Sequence, residues 1–331
     1  MKKLLITTAV SLLALSTSAM AATTIRIGHG ANETYHLHRA LQKFADNVET
    51  KSNGKFDVQI FPSSQMGPDR EMIESVQSGM LQMAVSPSSF YSAWDKSFDV
   101  VELPFIYPSK EVALRTVHSD AGDDMLKRLN NINLVGLGWL ENGVRHVSNN
   151  SRPIKTPEDL KGLKIRTMKV PAHVKTFNSL NASATPMNFG EVYSALQQGV
   201  VDGQENPVAH IYSQRFYEVQ DYVSLTSHVI TFYIPTMNME FWYSLSAEDQ
   251  QLLLDSMRLA EDYQQQLVST EEGEQIKAFM EAGTKVNELS QEDLQIFIEA
   301  TEPVRAEYKA NLGPEVYDSW MNAIKAESEK S

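Results

Sequence analysis

The 331-residue sequence has no cysteine, which rules out disulfides, thiol catalysis and thiolate metal sites. It is also short of positive charge. Lysine and arginine number 29 against 42 acidic residues, for a formal net charge of −13. Such a chain has no general attraction for phosphate backbones or anionic lipid, which argues against nucleic acid as a partner. An anionic ligand would have to be recognised by a few placed cations working against the overall field. No apolar run reaches the roughly 20 residues that span a bilayer. No period of 20 to 50 residues suggests a repeat array, and no Pro/Ser-rich linker divides the chain.

The longest apolar run, Leu4 to Leu15, lies in "MKKLLITTAVSLLALSTSAMA". Two lysines precede it and Ala19-Met20-Ala21 closes the segment, the basic, apolar and small-residue order of a secretory signal peptide. Residues 1–21 are expected to be cleaved, after Ala21 or Ala22, leaving an exported periplasmic chain with no membrane insertion. Loss of Lys2 and Lys3 takes the formal charge from −13 to −15. About 310 residues remain, ample for two domains, and a secreted chain without disulfides must rely on its core.

The N-terminal third alternates. "TTIRIGHG" reads as a strand that stops at glycine, and Leu37, Leu41, Phe44, Ala45 and Val48 line one face of a helix ending at Asn53-Gly54. "FDVQIFP" is a second strand, and "DREMIESVQSGMLQMAVSP" a helix and a third strand. This β-α-β-α-β order predicts a parallel sheet flanked by helices. "NINLVGLGWLENGVRHVSN" holds strand material on either side of Glu141-Asn142-Gly143. "TPEDLKGLKIRTM" opens with a Thr156 cap and Pro157, then turns at Gly162 into a strand bearing Arg166. Beyond Ser246 the chain reads as mostly helical. The fold class is α/β, with two lobes joined by crossing strands and a long helical C-terminal region.

Several candidate sites dissolve on inspection. "GHGANE" begins like a dinucleotide fingerprint, but Glu33 stands where the third glycine belongs and would repel a pyrophosphate. His36 and His38 point to different faces of a helix and read as surface residues, with no partners for a zinc site. No Gly-x-Ser-x-Gly elbow occurs. Met66, Met72, Met80 and Met83 read as core filling. No cofactor and no metal site is expected.

Arg166 is different. Its flanks describe a half-buried strand, and a desolvated guanidinium needs an anion. An internal ion pair with Glu158 or Asp159 is one answer and a bound ligand the other. Arg145 follows a turn in "ENGVRHVSN", and "GQENP" sets Gln204, Glu205 and Asn206 on what reads as a turn after a helix.

These segments carry a resemblance. "PSSQMGPDREMIESVQSGMLQMAV", "VVELPFIYPSKEVA", "ENGVRHVSNNSRPIKTPEDLKGLKIRTM", "PMNFGEVYSALQQGVVDGQENP" and "FYEVQDYVSLTSH" resemble, in order, the extracytoplasmic solute receptors of tripartite ATP-independent periplasmic (TRAP) transporters, the DctP family. The resemblance runs from about residue 24 to at least 270. It implies a receptor and not an enzyme, closing two α/β lobes on an organic acid and delivering it to TRAP membrane permease subunits driven by an ion gradient. It implies that Arg166 makes a two-pronged salt bridge to the ligand carboxylate, with Asn206 and Arg145 as further contacts and Phe189 against the ligand body. The lobes it implies are 22–143 with 232–271, and 144–231 with 272–331.

"GQENP", "ENGVR" and "GLKIR" look closer to receptors of sugar acids (uronates, aldonates or keto-sugar acids) than to C4-dicarboxylate receptors, which are the alternative. Glu33, Asn32, His29, Ser86, Ser88 and Gln204 are candidates for binding hydroxyls, and Phe90, Trp94 and Trp139 for a flat surface under a sugar ring. A sensor feeding a membrane kinase and an enzyme acting on a sugar acid are the lesser alternatives.

Overall fold

The computed structural model describes residues 22–330, so the expected signal peptide at 1–21 lies outside the described residues. The first third follows the β-α-β-α-β order: β1 (Thr23–His29), α1 (His36–Lys51), β2 (Phe56–Phe61), α2 (Asp69–Gln77) and β3 (Met83–Pro87). β1 lies between β2 and β3, parallel to both. Next come α3 (Lys110–Val117), α4 (Asp120–Arg128), β4 (Leu134–Gly136), β5 (Leu140–Asn149), β6 (Lys164–Thr167), α5 (Pro171–Ser179) and β7 (Ser183–Pro186). The chain continues through α6 (Val192–Gln197), β8 (Gly203–Pro207), α7 (Val208–Ser213), β9 (Tyr222–Asn238) and α8 (Met239–Ser244). It ends with α9 (Ala247–Glu281), β10 (Lys285–Glu288) and α10 (Gln291–Ser328).

The strands run β2-β1-β3-β9-β5-β8-β6-β7, with β4 and β10 also paired to β9. The 17-residue β9 is the seam. Its end, Tyr233–Asn238, pairs with β3 and β4, whereas its start, Tyr222–Leu225, pairs with β10. β5 runs antiparallel beside it and carries β8 on its other edge. Two strands therefore pass from one half of the sheet into the other, the expected hinge strands. The β5–β9 ladder slips between Glu141 and Gly143 and again between Arg145 and Val147. Such bulges bend a strand locally, here where the two halves meet.

Helix starts follow their caps. Thr156 and Asp159 close a reciprocal capping box on a short 3-10 turn, and Ser246 and Asp249 do the same on α9. The C-terminal α10 serves both halves. Its Phe297 packs with Leu163, Ile165 and Phe177, while Tyr308, Trp320 and Ile324 pack with Val112 and Val117. Gly313, at φ 73° and ψ 172°, breaks the helix just before Pro314.

Three local expectations need correction. "GQENP" is a strand, not a turn, and β8 is buried along its length between β5 and β6. Its polar side chains bond one another and their neighbours inside the sheet, so no apolar alternation marks it. His36 and His38 are buried rather than at the surface. His36 Nδ1 lies 3.0 Å from the Gln264 amide of α9, and His38 lies 3.1 Å from His29. Met72 and Met83 fill the core as expected, but Met80 sits on a loop and is 65% exposed.

Gly203 fixes how closely β8 approaches β5, because a Cβ there would lie 2.2 Å from the Ser148 carbonyl oxygen. Gly203→Ala should therefore push the strands apart and destabilise the fold by about 1–3 kcal/mol. The effect is read as a lowered midpoint in thermal unfolding, and an unchanged midpoint would contradict the close approach.

Candidate ligand-binding site

Strand order alone brings the two arginines together. β8 lies between β5 and β6, so Glu205 and Asn206 sit between Arg145 on one side and Arg166 on the other. Arg145 is fully buried and grips Glu205 with two prongs, Nε to Oε2 at 2.5 Å and Nη2 to Oε1 at 2.8 Å. Nη2 also donates to the Glu205 carbonyl and, at 3.1 Å, to Asn206 Oδ1. Burial alone would raise the Glu205 carboxyl, but Arg145 and His228 outweigh it and hold the group well below the usual carboxylate range. Burial would lower Arg145 in turn, and Glu205 more than restores it.

Among the described residues Arg166 has no such partner. It is 2% exposed, and its Nε and Nη2 both donate to one neutral acceptor, the Met187 carbonyl, at 3.1 and 2.7 Å. The internal alternative fails, because Glu158 pairs with Lys161 and Asp159 accepts from the backbone of Lys155 and Thr156. Burial, resisted by Glu205 and reinforced by Arg145, lowers Arg166 to about 10, still cationic at neutral pH. The Nη1 groups of both arginines have no hydrogen-bond partner among the described residues.

Both guanidinium groups line one cavity of about 370 Å³. Asn206 shares its floor, its Nδ2 held 2.5 Å from Gln204 Oε1. Phe189, Phe90 and Met168 form apolar wall, with Phe189 stacked 5.8 Å from the Arg166 guanidinium. Asp69, Asn142, His210 and Tyr233 supply the remaining polar lining. A larger space of about 870 Å³ adjoins this cavity and shares Asp69, Phe90 and Phe189 with it.

The expected residues thus divide. Arg166, Arg145, Asn206, Phe189 and Phe90 come together, and the others lie elsewhere. Gln204 sits behind Asn206 and orients it, donating to Ser148 Oγ at 2.8 Å. Ser88 donates to Glu102 at 2.5 Å, and His29 faces His38. Asn32 donates to the Ser213 carbonyl at 2.6 Å, tying the loop after β1 to the end of α7. Glu33 is exposed beside a shallow surface depression, and Ser86 is buried in β3. Trp139 is core, donating to the Gly122 carbonyl, and Trp94 lies under Arg70.

Asp69, His210, Tyr233 and Asn142 were not singled out from the sequence. An acid in the first turn of a helix reads as a complement to the helix dipole, and a tyrosine inside an apolar strand reads as core. The structure instead puts the Asp69 carboxylate in the cavity wall, where burial raises it to about 6 against the opposing effects of Ser86, its own backbone N–H and Arg166. Among the described residues no group of three or more histidines and carboxylates is arranged to hold a metal ion, and no helix is long and apolar enough to cross a membrane.

Comparison with known proteins gives the family. Residues 27–311 match the bacterial extracellular solute-binding protein family 7, DctP. The 2,3-diketo-L-gulonate-binding periplasmic protein of Escherichia coli (strain K12) is 35% identical over 275 residues, 83% of this chain and 84% of that protein. The C4-dicarboxylate-binding periplasmic protein of Rhodobacter capsulatus is 33% identical over 317 residues, 95% and 94% of the two chains. The crystal structure of the sugar acid binding protein of Advenella mimigardefordensis strain DPN7T, in complex with galactonate, superposes with a TM-score of 0.90 at 29% identity, covering 93% of this chain and 99% of that one. The chain therefore belongs to the DctP family of bacterial extracellular solute-binding proteins, the solute receptors of TRAP transporters, and is a receptor and not an enzyme.

Proposed function

We propose that this protein is a periplasmic receptor that binds a hydroxylated monocarboxylic acid, a uronate, aldonate or keto-sugar acid, and hands it to a TRAP permease. The observation that carries the reading is the pair of buried, unpartnered Nη1 groups, from Arg145 and Arg166, on one cavity. A guanidinium presents parallel N–H groups that match the two oxygens of a carboxylate. Arg166, which among the described residues donates only to a carbonyl, is the main anchor, and Asn206 and the free edge of Arg145 complete it.

Asp69 supports the hydroxylated acid over a C4-dicarboxylate. A carboxylate in the cavity wall accepts hydrogen bonds from hydroxyls and repels a second ligand carboxylate. We place the lobes at 22–143 with 232–271, and at 144–231 with 272–331, the end of α10 returning to the first. Closure is then a hinge motion of β5 and β9.

The direct test is thermal unfolding of residues 22–331 against uronates, aldonates, keto-sugar acids and C4-dicarboxylates. A ligand at 100 times its Kd should stabilise by about 2.7 kcal/mol. A shift with sugar acids is expected; a shift with succinate alone would remove the sugar, and no shift with any acid would remove the receptor reading.

Arg166→Ala removes one partner of a desolvated pair, worth about 3–5 kcal/mol, and should weaken binding at least ~100-fold by calorimetry. Affinity within about tenfold of wild type would show that the anchor lies elsewhere.

The Asp69 carboxyl, raised to about 6, is ionised at pH 7.5 and protonated below pH 6. Binding of fumarate, whose two carboxyls stay mostly ionised through this range, should accordingly strengthen as pH falls through about 6 in the wild type. Asp69→Asn should abolish that dependence and, by losing a charged acceptor, weaken aldonate binding about tenfold or more at pH 7.5. A wild-type fumarate affinity that does not change between pH 7.5 and 5 would count against Asp69 as the excluding group.

A further inference from the structure

The anchoring scheme leaves one buried aromatic group on the cavity without a task. We propose that His210 is a specificity-determining residue that hydrogen-bonds the oxygen on the carbon next to the ligand carboxylate. The chain would thereby select 2-hydroxy or 2-keto acids over acids lacking that oxygen. The inference rests on the receptor reading above and adds the part of the ligand that is read.

His210 lies on α7, directly after the Asn206-Pro207 end of β8, and is 3% exposed. Three aromatic rings hold it. Tyr35 stacks on it at 3.9 Å between centroids with planes 7° apart, and Phe189 approaches it at 4.7 Å with planes 60° apart. The Tyr233 hydroxyl lies 2.7 Å from Nε2. Tyr35 is itself fixed, its hydroxyl 2.9 Å from both the backbone carbonyl oxygen and Oδ1 of Asn142. The imidazole is thus held in place, and its other nitrogen, Nδ1, has no partner among the described residues.

Position relates this nitrogen to one end of the ligand. Phe189 contacts both the His210 ring and the Arg166 guanidinium, and all three line the same cavity. A carboxylate on Arg166 would then set its neighbouring carbon in the part of the cavity that His210 lines. Burial first, then His36, Arg145, Arg166 and His29, keeps the imidazole neutral. A neutral imidazole offers one donor and one acceptor. If the Tyr233 hydroxyl donates to Nε2, Nδ1 carries the proton and donates to a keto oxygen. If Nε2 donates to Tyr233, Nδ1 accepts from a hydroxyl. The Tyr233 hydroxyl can turn to serve either case, so both oxygen types fit. A buried ring nitrogen left unpaired is costly, and the ligand oxygen removes that cost.

The test is calorimetric titration of D-galactonate and 2-deoxy-D-galactonate into the wild type, His210→Phe and His210→Gln. The wild type should prefer galactonate by at least about tenfold, a preference that falls within about twofold in His210→Phe and is partly kept in His210→Gln. In ¹⁵N-labelled wild type, the His210 Nδ1 resonance should shift with galactonate and not with the 2-deoxy acid. A preference undiminished in His210→Phe, or equal binding of both acids by the wild type, overturns the role of His210 while leaving the receptor intact. Should His210→Phe fail to fold, an unmoved Nδ1 resonance in the wild type overturns it equally. Wild-type binding of no acid in the panel overturns the receptor reading and this inference with it.

Discussion

The buried Arg145–Glu205 pair is the interaction around which the site is built. Glu205 sits mid-strand in β8, accepts from both prongs of Arg145 and from His228, and lies 4.0 Å from His173. Taking these groups out of water is costly and is offset only by near-complete hydrogen bonding. The pair fills one carboxylate's demand with one arginine and leaves Arg166, across the strand, without an ion-pair partner among the described residues. A cationic group thus stands in the cavity of a chain whose overall charge is strongly negative.

Neighbouring buried polar groups extend this arrangement across the molecule. Glu102, in the 3-10 segment after β3, accepts from Ser88 and meets His173 of α5 at 3.1 Å. On the other side Asn32 reaches Ser213. These contacts join the parts of the sheet on either side of β9 through polar atoms, beside an apolar cluster in which Met168, Val170 and Ala172 pack with Phe98, Val101 and Ile106. The polar contacts can be exchanged for water when the parts separate, whereas the apolar contacts resist separation. The kinked β5 and the long β9 keep the two parts connected.

Much of this was legible in the sequence, for identifiable reasons. The first three strands and two helices show clean periods of 2 and 3.6, and the caps at Thr156 and Ser246 lie where their residue types place them. Arg166 stands out in the sequence as a charge on a half-buried strand, and the structure buries it. What was hidden is of one kind. β8, His36 and His38 are polar residues whose burial depends on partners distant in sequence, such as Gln264, 228 residues from His36. Asp69, His210 and Tyr233 enter the cavity because the chain brings α2, α7 and β9 together there, and no local pattern signals that. Glu33, Ser88 and Gln204 failed as cavity residues for the same reason in reverse: proximity in sequence to a rim does not determine where a side chain points.

The placement of these groups has an evolutionary consequence. The charged anchor sits on central strands, where Glu205 and Arg145 depend on each other and neither tolerates replacement alone. The other groups that line the cavity lie at edges: Asp69 opens α2, His210 rides on the short α7, and Phe90 lies in a 3-10 turn. Substitution at such positions removes no strand-to-strand backbone hydrogen bond. A duplicated gene of this type can therefore acquire a taste for a different acid in single steps, while its dependence on a carboxylate is inherited unchanged.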